Sequence, residues 1–158
     1  MKKGIAVALS AVLGASVGAL GTKNMCNAKT AEKQKMSDKH LALFLLMNQW
    51  VKVKQEQKDI AQYLEKKGYK KIAIYGMSYV GERLFDELKD SGIETAYAID
   101  KKTDGIYAEI DVFAPDDTLP AVDAVIVTPV FFFEEIKQTL SSQTKADILS
   151  LEDILYDI

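Results

Sequence analysis

The chain has 158 residues, 48% of them hydrophobic and 27% charged, and a formal net charge of −3. These are proportions of a globular domain with appendages, and the net charge makes no electrostatic case for nucleic acid. One cysteine, Cys26, excludes an intramolecular disulfide and a cysteine-built metal site, and with His40 as the only histidine a Ser/His/Asp triad or a multi-histidine zinc site is hard to assemble.

Lys2 and Lys3 precede an uncharged run from Gly4 to Gly21, rich in Ala, Val, Leu and Gly. As a helix rising about 1.5 Å per residue it would cover roughly 27 Å, enough for a thin bilayer core. Two readings compete for residues 1–21. A cleaved signal peptide would use Ala19-Leu20-Gly21 as its small-x-small site and export the rest of the chain. A transmembrane anchor is the reading favoured by loop charge. Lys23, Lys29, Lys33, Lys35 and Lys39 follow the run, against Lys2, Lys3 and the α-amino group before it. That excess keeps the C-terminal part of a single-pass chain in the cytoplasm. Residues 22–39 are polar and read as a tether.

Residues 40–68 read as a helical arm. Leu41, Phe44, Leu45, Met47, Trp50, Val51 and Val53 are nearly continuous, with Ser37 or Asp38 placed to cap the start. The stretch is too short to span a bilayer and too apolar around its circumference to stand in water. It therefore packs on the following domain, or residues 41–53 form an interface with a second copy, another protein or the membrane surface. A second helix, Ile60 to Lys67, ends at Gly68 with lysines in its last turn, the expected stop signals.

Residues 69–158 carry the pattern of a nucleotide-binding fold. Lys71-Ile72-Ala73-Ile74-Tyr75 reads as a strand buried on both faces. It leads directly into Gly76-Met77-Ser78-Tyr79-Val80-Gly81, and Val80, Leu84, Phe85 and Leu88 then recur at helical spacing. Ile93 to Asp100 reads as a second strand ending on an acid. Strand, glycine turn, helix, strand and acid is the order of a dinucleotide-binding unit. In such a unit Gly76 makes the turn, Gly81 lets helix and strand approach, and the amides of Met77 to Gly81 face a phosphate. Asp100 stands where it would accept from ribose hydroxyls. Ser78 replaces the glycine that normally admits a pyrophosphate, so its hydroxyl either donates to the ligand or crowds it.

Three further strands follow: Ile110 to Phe113, Asp123 to Thr128, and Ala146 to Ser150. Phe132, Phe133, Ile136 and Leu140 mark a helix after Pro129, and Leu151 to Tyr156 a closing helix capped by Ser150. Right-handed crossovers predict an α/β, Rossmann-like parallel sheet of order 3-2-1-4-5, with its crevice near Gly76–Tyr79 and Thr128–Phe131.

Lys70-Lys71-Ile72-Ala73-Ile74-Tyr75-Gly76, Gly81-Glu82-Arg83-Leu84, Tyr97-Ala98-Ile99-Asp100 and Ser150-Leu151-Glu152-Asp153-Ile154 resemble small Rossmann-like modules of bacterial surface-polysaccharide systems. Such modules occur alone or fused to glycosyltransferases and sugar-modifying enzymes. The resemblance covers roughly residues 40–158. Related modules of sugar acetyltransferases bind a nucleotide-sugar with the glycine turn, which implies the same role for Gly76, Ser78 and Gly81. The expected function is a membrane-tethered cytoplasmic module that binds NAD(P) or a nucleotide-sugar, with Gly76, Met77, Ser78, Tyr79, Val80, Gly81, Asp100 and Thr128 around the ligand. The alternatives are an NAD-dependent sugar oxidoreductase or epimerase, and a non-binding adaptor acting through Leu41 to Val53. The oxidoreductase lacks a second substrate domain. It also lacks an evident acid–base pair, since Ser78, Tyr79 and Thr128 are the polar candidates at the crevice.

Overall fold

The computed structural model describes residues 2–103 and 109–158, with side chains described from residue 29 onward. The side chains of the apolar run 4–21 thus lie outside the described residues. Among the described residues no helix is long and apolar enough to cross a membrane. The chain divides into two compact units, Met1–Leu41 and Ala42–Ile158.

Helix α1 runs from Lys2 to Gln55 without a break. The polar residues 22–39, expected as a tether, are helical. The reason is visible in their composition: Ala, Lys, Glu, Gln and Met are strong helix formers whatever their polarity. Within the second unit, Leu46, Trp50 and Val53 recur at i, i+4 and i+7 and are buried in the core. Each such side chain contributes about 1.5–3 kcal/mol relative to exposure. The arm is fixed further by Glu87, whose carboxylate accepts from Trp50 Nε1 at 2.7 Å and from the Ile60 amide at 3.1 Å, and pairs with Lys54 Nζ at 3.1 Å. Leu43, Phe44, Leu45 and Val51 remain exposed on the rest of the circumference.

Helix α2, Ile60–Lys67, has the bounds expected from its caps. Asp59 Oδ1 accepts from the Gln62 amide at 2.7 Å, and Gly68 at φ 87° turns the chain out of the helix. The sheet is five-stranded and parallel, in the order β3-β2-β1-β4-β5, as the crossover rule requires. Its strands are β1 Lys71–Tyr75, β2 Glu94–Ile99, β3 Val112–Phe113, β4 Ala124–Val127 and β5 Asp147–Ser150. Between them lie α3 Tyr79–Leu88 and α4 Phe133–Leu140, the latter entered through a short 3-10 turn, Val130–Phe132, and α5 Leu151–Asp157 closes the chain.

Strand alternation sorts the core into two layers. Ile72, Ile74, Ala98, Ala124 and Ile126 face the layer shared with the arm, α2, α3 and α5. Ala73, Tyr97, Ile99, Val125 and Val127 face the layer shared with α4. Because β1 and β4 are buried along both faces, neither shows polar alternation in sequence. β3 pairs only through Val112 and Phe113, two residues shorter than expected, and Ile110 is partly buried against the arm-side layer instead. Ser150 stands at the start of α5 as expected, but its hydroxyl makes no capping bond.

Candidate functional site

The turn after β1 is built from backbone demands. Gly76 adopts φ 91°, a conformation that L side chains rarely take, and its amide donates to Ile99 O at 2.8 Å, extending the β1–β2 ladder by one bond. A Cβ on Gly76 would lie 2.7 Å from Pro129 Cγ and 2.9 Å from Thr128 Oγ1. A Cβ on Gly81 would overlap the Gly76 carbonyl oxygen. Both glycines are therefore required by the packing of α3 and the β4 end against the turn.

Thr128 is buried and serves the same turn. Its hydroxyl lies 2.7 Å from Gly76 O and 3.1 Å from Tyr75 O, and its amide donates to Tyr75 O at 3.0 Å. Asp100 closes the turn from the other side. Its Oδ2 accepts from the Met77 amide at 2.8 Å, and its Oδ1 from the Lys102 amide at 3.0 Å. The Met77 and Val80 side chains are buried in the core.

Ser78 caps the start of α3 with extended backbone, and its exposed hydroxyl makes no capping bond. Tyr79 is 82% exposed. The Glu82 amide bonds Ser78 O at 3.0 Å, so the amides of Tyr79, Val80 and Gly81 are the first-turn donors without an intrahelical acceptor.

A cleft of about 510 Å³ opens at the carboxyl ends of β1, β2 and β4, where the strand order reverses. It unites Gly76 and Asp100 with Tyr75, Lys101, Phe132 and Glu135. Pro115, Pro129, Ile136 and Thr139 complete its wall. Ser78 and Tyr79 stand outside that wall, and Thr128 lies beneath it. Sequence reading passes over Tyr75, Lys101 and the residues of α4, although a signal exists. Tyr75 and Lys101 end or follow strands, and Phe132, Glu135, Ile136 and Thr139 share one helical face by i, i+3, i+4, i+7 spacing.

Burial pushes the Tyr75 phenol above its ordinary value, and the carboxylates of Asp100 and Glu135 push it further in the same direction. Tyr75 is thus a neutral hydrogen-bond donor at physiological pH. Two carboxylates, one ammonium and an apolar floor suit a ring bearing hydroxyls better than a bare phosphate. Phosphate charge is better matched at the start of α3, where the free amides and the positive end of the helix lie. A second hollow of about 480 Å³, lined by Glu134, Glu135, Glu152 and Asp153 among others, has no basic side chain in its wall. Among the described residues no cluster of His, Cys, Asp and Glu is arranged to hold a metal ion.

Comparison with protein-family models, curated proteins and solved structures finds no match to this chain.

Proposed function

We propose that this chain is a membrane-tethered binding module, facing the cytoplasm, for a nucleotide or nucleotide-sugar used in cell-surface polysaccharide assembly. The observation that carries the reading is the cleft at the carboxyl ends of β1, β2 and β4, where open parallel sheets bind their ligands. In this reading the sugar or ribose hydroxyls meet Asp100, Glu135 and Tyr75, and the ring packs on Phe132 and Pro129. The phosphates reach toward Ser78 and the amides of Tyr79 to Gly81. The polysaccharide setting comes from the resemblance alone, and the tether from the apolar run and its flanking lysines.

The test is a thermal-shift and calorimetric screen of the chain against NAD(H), NADP(H), UDP, UDP-sugars and coenzyme A. A ligand at one hundred times its Kd stabilises the folded state by about 2.7 kcal/mol. Ser78→Gly then gives the role of the hydroxyl: tighter binding means that the serine crowds the phosphate, weaker binding that it donates. No shift with any ligand at millimolar concentration refutes the reading.

A second reading, a non-binding adaptor, is favoured by one set of contacts. Gly76, Gly81, Thr128 and Asp100 all have partners within the fold. An empty screen would make this the better account.

A further inference from the structure

Of the nine large hydrophobic residues that stand exposed among the described side chains, five fall between Leu41 and Val51. Four of them belong to the second unit: Leu43 at 38% exposure, Phe44 at 66%, Leu45 at 45% and Val51 at 53%. At 3.6 residues per turn, Phe44 and Val51 lie about 160° and 140° around the helix from Leu46. They point away from the core that Leu46, Trp50 and Val53 enter. A groove of about 470 Å³ runs along the flank of this face, with Met47, Trp50 and Val51 in its wall and Lys54 and Arg83 among its polar residues. Among the described residues, no core layer of the α/β unit covers the outer face.

Charge decides what does. Residues 1–58 hold 10 of the 20 basic side chains and only 3 of the 23 acidic ones, a net of +7. Residues 59–158 hold the other 10 and 20, a net of −10. Within the basic part, the stretch from His40 to Val51 contains no Lys, Arg, Asp or Glu and is bracketed by Lys39 and Lys52. A coiled coil with a second copy would need an apolar seam kept over three or four heptads. Here the seam that holds Leu41, Phe44 and Val51 is broken at Asn48 and turns polar at Gln34, Ser37 and Gln55, so it lasts fewer than two heptads, and two such basic helices would repel one another. Aliphatic and aromatic side chains framed by lysines, on a basic segment of an acidic protein, match an anionic lipid surface.

We infer that the outer face of the arm, centred on Phe44, Leu45 and Val51, docks in the headgroup region of an anionic bilayer and holds the acidic α/β unit away from it. The inference is independent of what the cleft binds. Where residues 4–21 act as an anchor, they deliver the arm to that surface.

The experiment uses the full chain reconstituted in vesicles, with Cys26→Ser and Leu45→Cys labelled by an environment-sensitive fluorophore. A second preparation carries the label at Asp116→Cys, in an exposed loop of the α/β unit. In phosphatidylserine-containing vesicles the label at residue 45 should emit to the blue and be quenched by nitroxide lipids, while the label at 116 stays in water. In pure phosphatidylcholine the quenching should fall several-fold. Lys52→Glu, which reverses a charge beside Leu45 on the outer side of the helix, should weaken docking by at least roughly fivefold. Molar salt, which cuts the screening length to about 3 Å, should remove the dependence on lipid charge. Phe44→Asp/Val51→Asp, both on the exposed face, should abolish the quenching with the circular dichroism unchanged.

Three results would overturn the inference. One is a water-like label at residue 45 in both lipids. Another is quenching that survives Phe44→Asp/Val51→Asp. The third is a blue shift without nitroxide quenching that grows with protein density, which would assign the face to a second copy.

Discussion

Asp100→Ala separates the two uses to which this carboxylate can be put. In the structure Oδ2 accepts from the Met77 amide, which is partly buried, and Oδ1 from the exposed Lys102 amide. Removing the carboxylate leaves the Met77 N–H without an acceptor, at a cost of about 1–3 kcal/mol. The Lys102 amide turns to water and contributes almost nothing. The expected loss is therefore about 2 kcal/mol, which for a unit of this size lowers Tm by roughly 8 °C. Asp100→Asn keeps a carbonyl oxygen within reach of Met77 and should lose less than half as much. Urea unfolding followed by circular dichroism measures both, with the m-value checked for constancy. An Asp100→Ala protein as stable as the parent would refute the reasoning, because the Met77 amide would then have another partner. Each oxygen of this carboxylate accepts one amide and keeps a second lone pair, so a ligand hydroxyl can donate to Asp100 without displacing either amide.

Other substitutions probe the frame around the cleft. Gly81→Ala forces α3 off the Gly76 carbonyl and should cost at least about 3 kcal/mol in urea unfolding; a loss below about 1 kcal/mol would mean that the turn can yield. Glu87→Ala strips an acceptor from Trp50 Nε1 and from the Ile60 amide, for an expected loss of about 2–4 kcal/mol. A double-mutant cycle with Trp50→Phe should show coupling, and additivity would remove the latch from the account. Tyr69 donates to Asp147 Oδ2 at 2.7 Å, and that bond, followed by burial, pushes its phenol up to about 12. Its stabilisation is present in full below the ordinary value of 10.0 and is lost as pH rises through about 12. The midpoint difference between parent and Tyr69→Phe should therefore shrink over that window, and a constant difference would refute the assignment.

The order of the sheet was legible because β1 and β4 are continuous apolar runs and each crossover has one allowed hand. Helix α2 was legible to the residue because Asp59 and Gly68 are strong local signals. Three features escaped for different physical reasons. Residues 22–39 are polar, which resembles a tether, yet their helix propensity is high. The arm reads as apolar all round, and nothing local tells that Leu46, Trp50 and Val53 go inward while Phe44 and Val51 stay out. The bond from Met77 to Asp100 depends on chain segments 23 residues apart meeting at the carboxyl ends of β1 and β2. A motif can place an acid at the end of β2, but it cannot tell a ribose contact from a backbone cap.

Trp50 is the only tryptophan in the chain, and its indole sits at the joint between the arm and α3. This gives the molecule an intrinsic optical gauge at one seam. Its emission follows the seating of the arm, whereas the far-ultraviolet signal of the sheet follows the α/β unit. If the arm peels away before the strands separate, the two signals will part during unfolding, and their difference will be the free energy of that joint alone. Any ligand or surface that seats the arm more firmly will then be visible without a label.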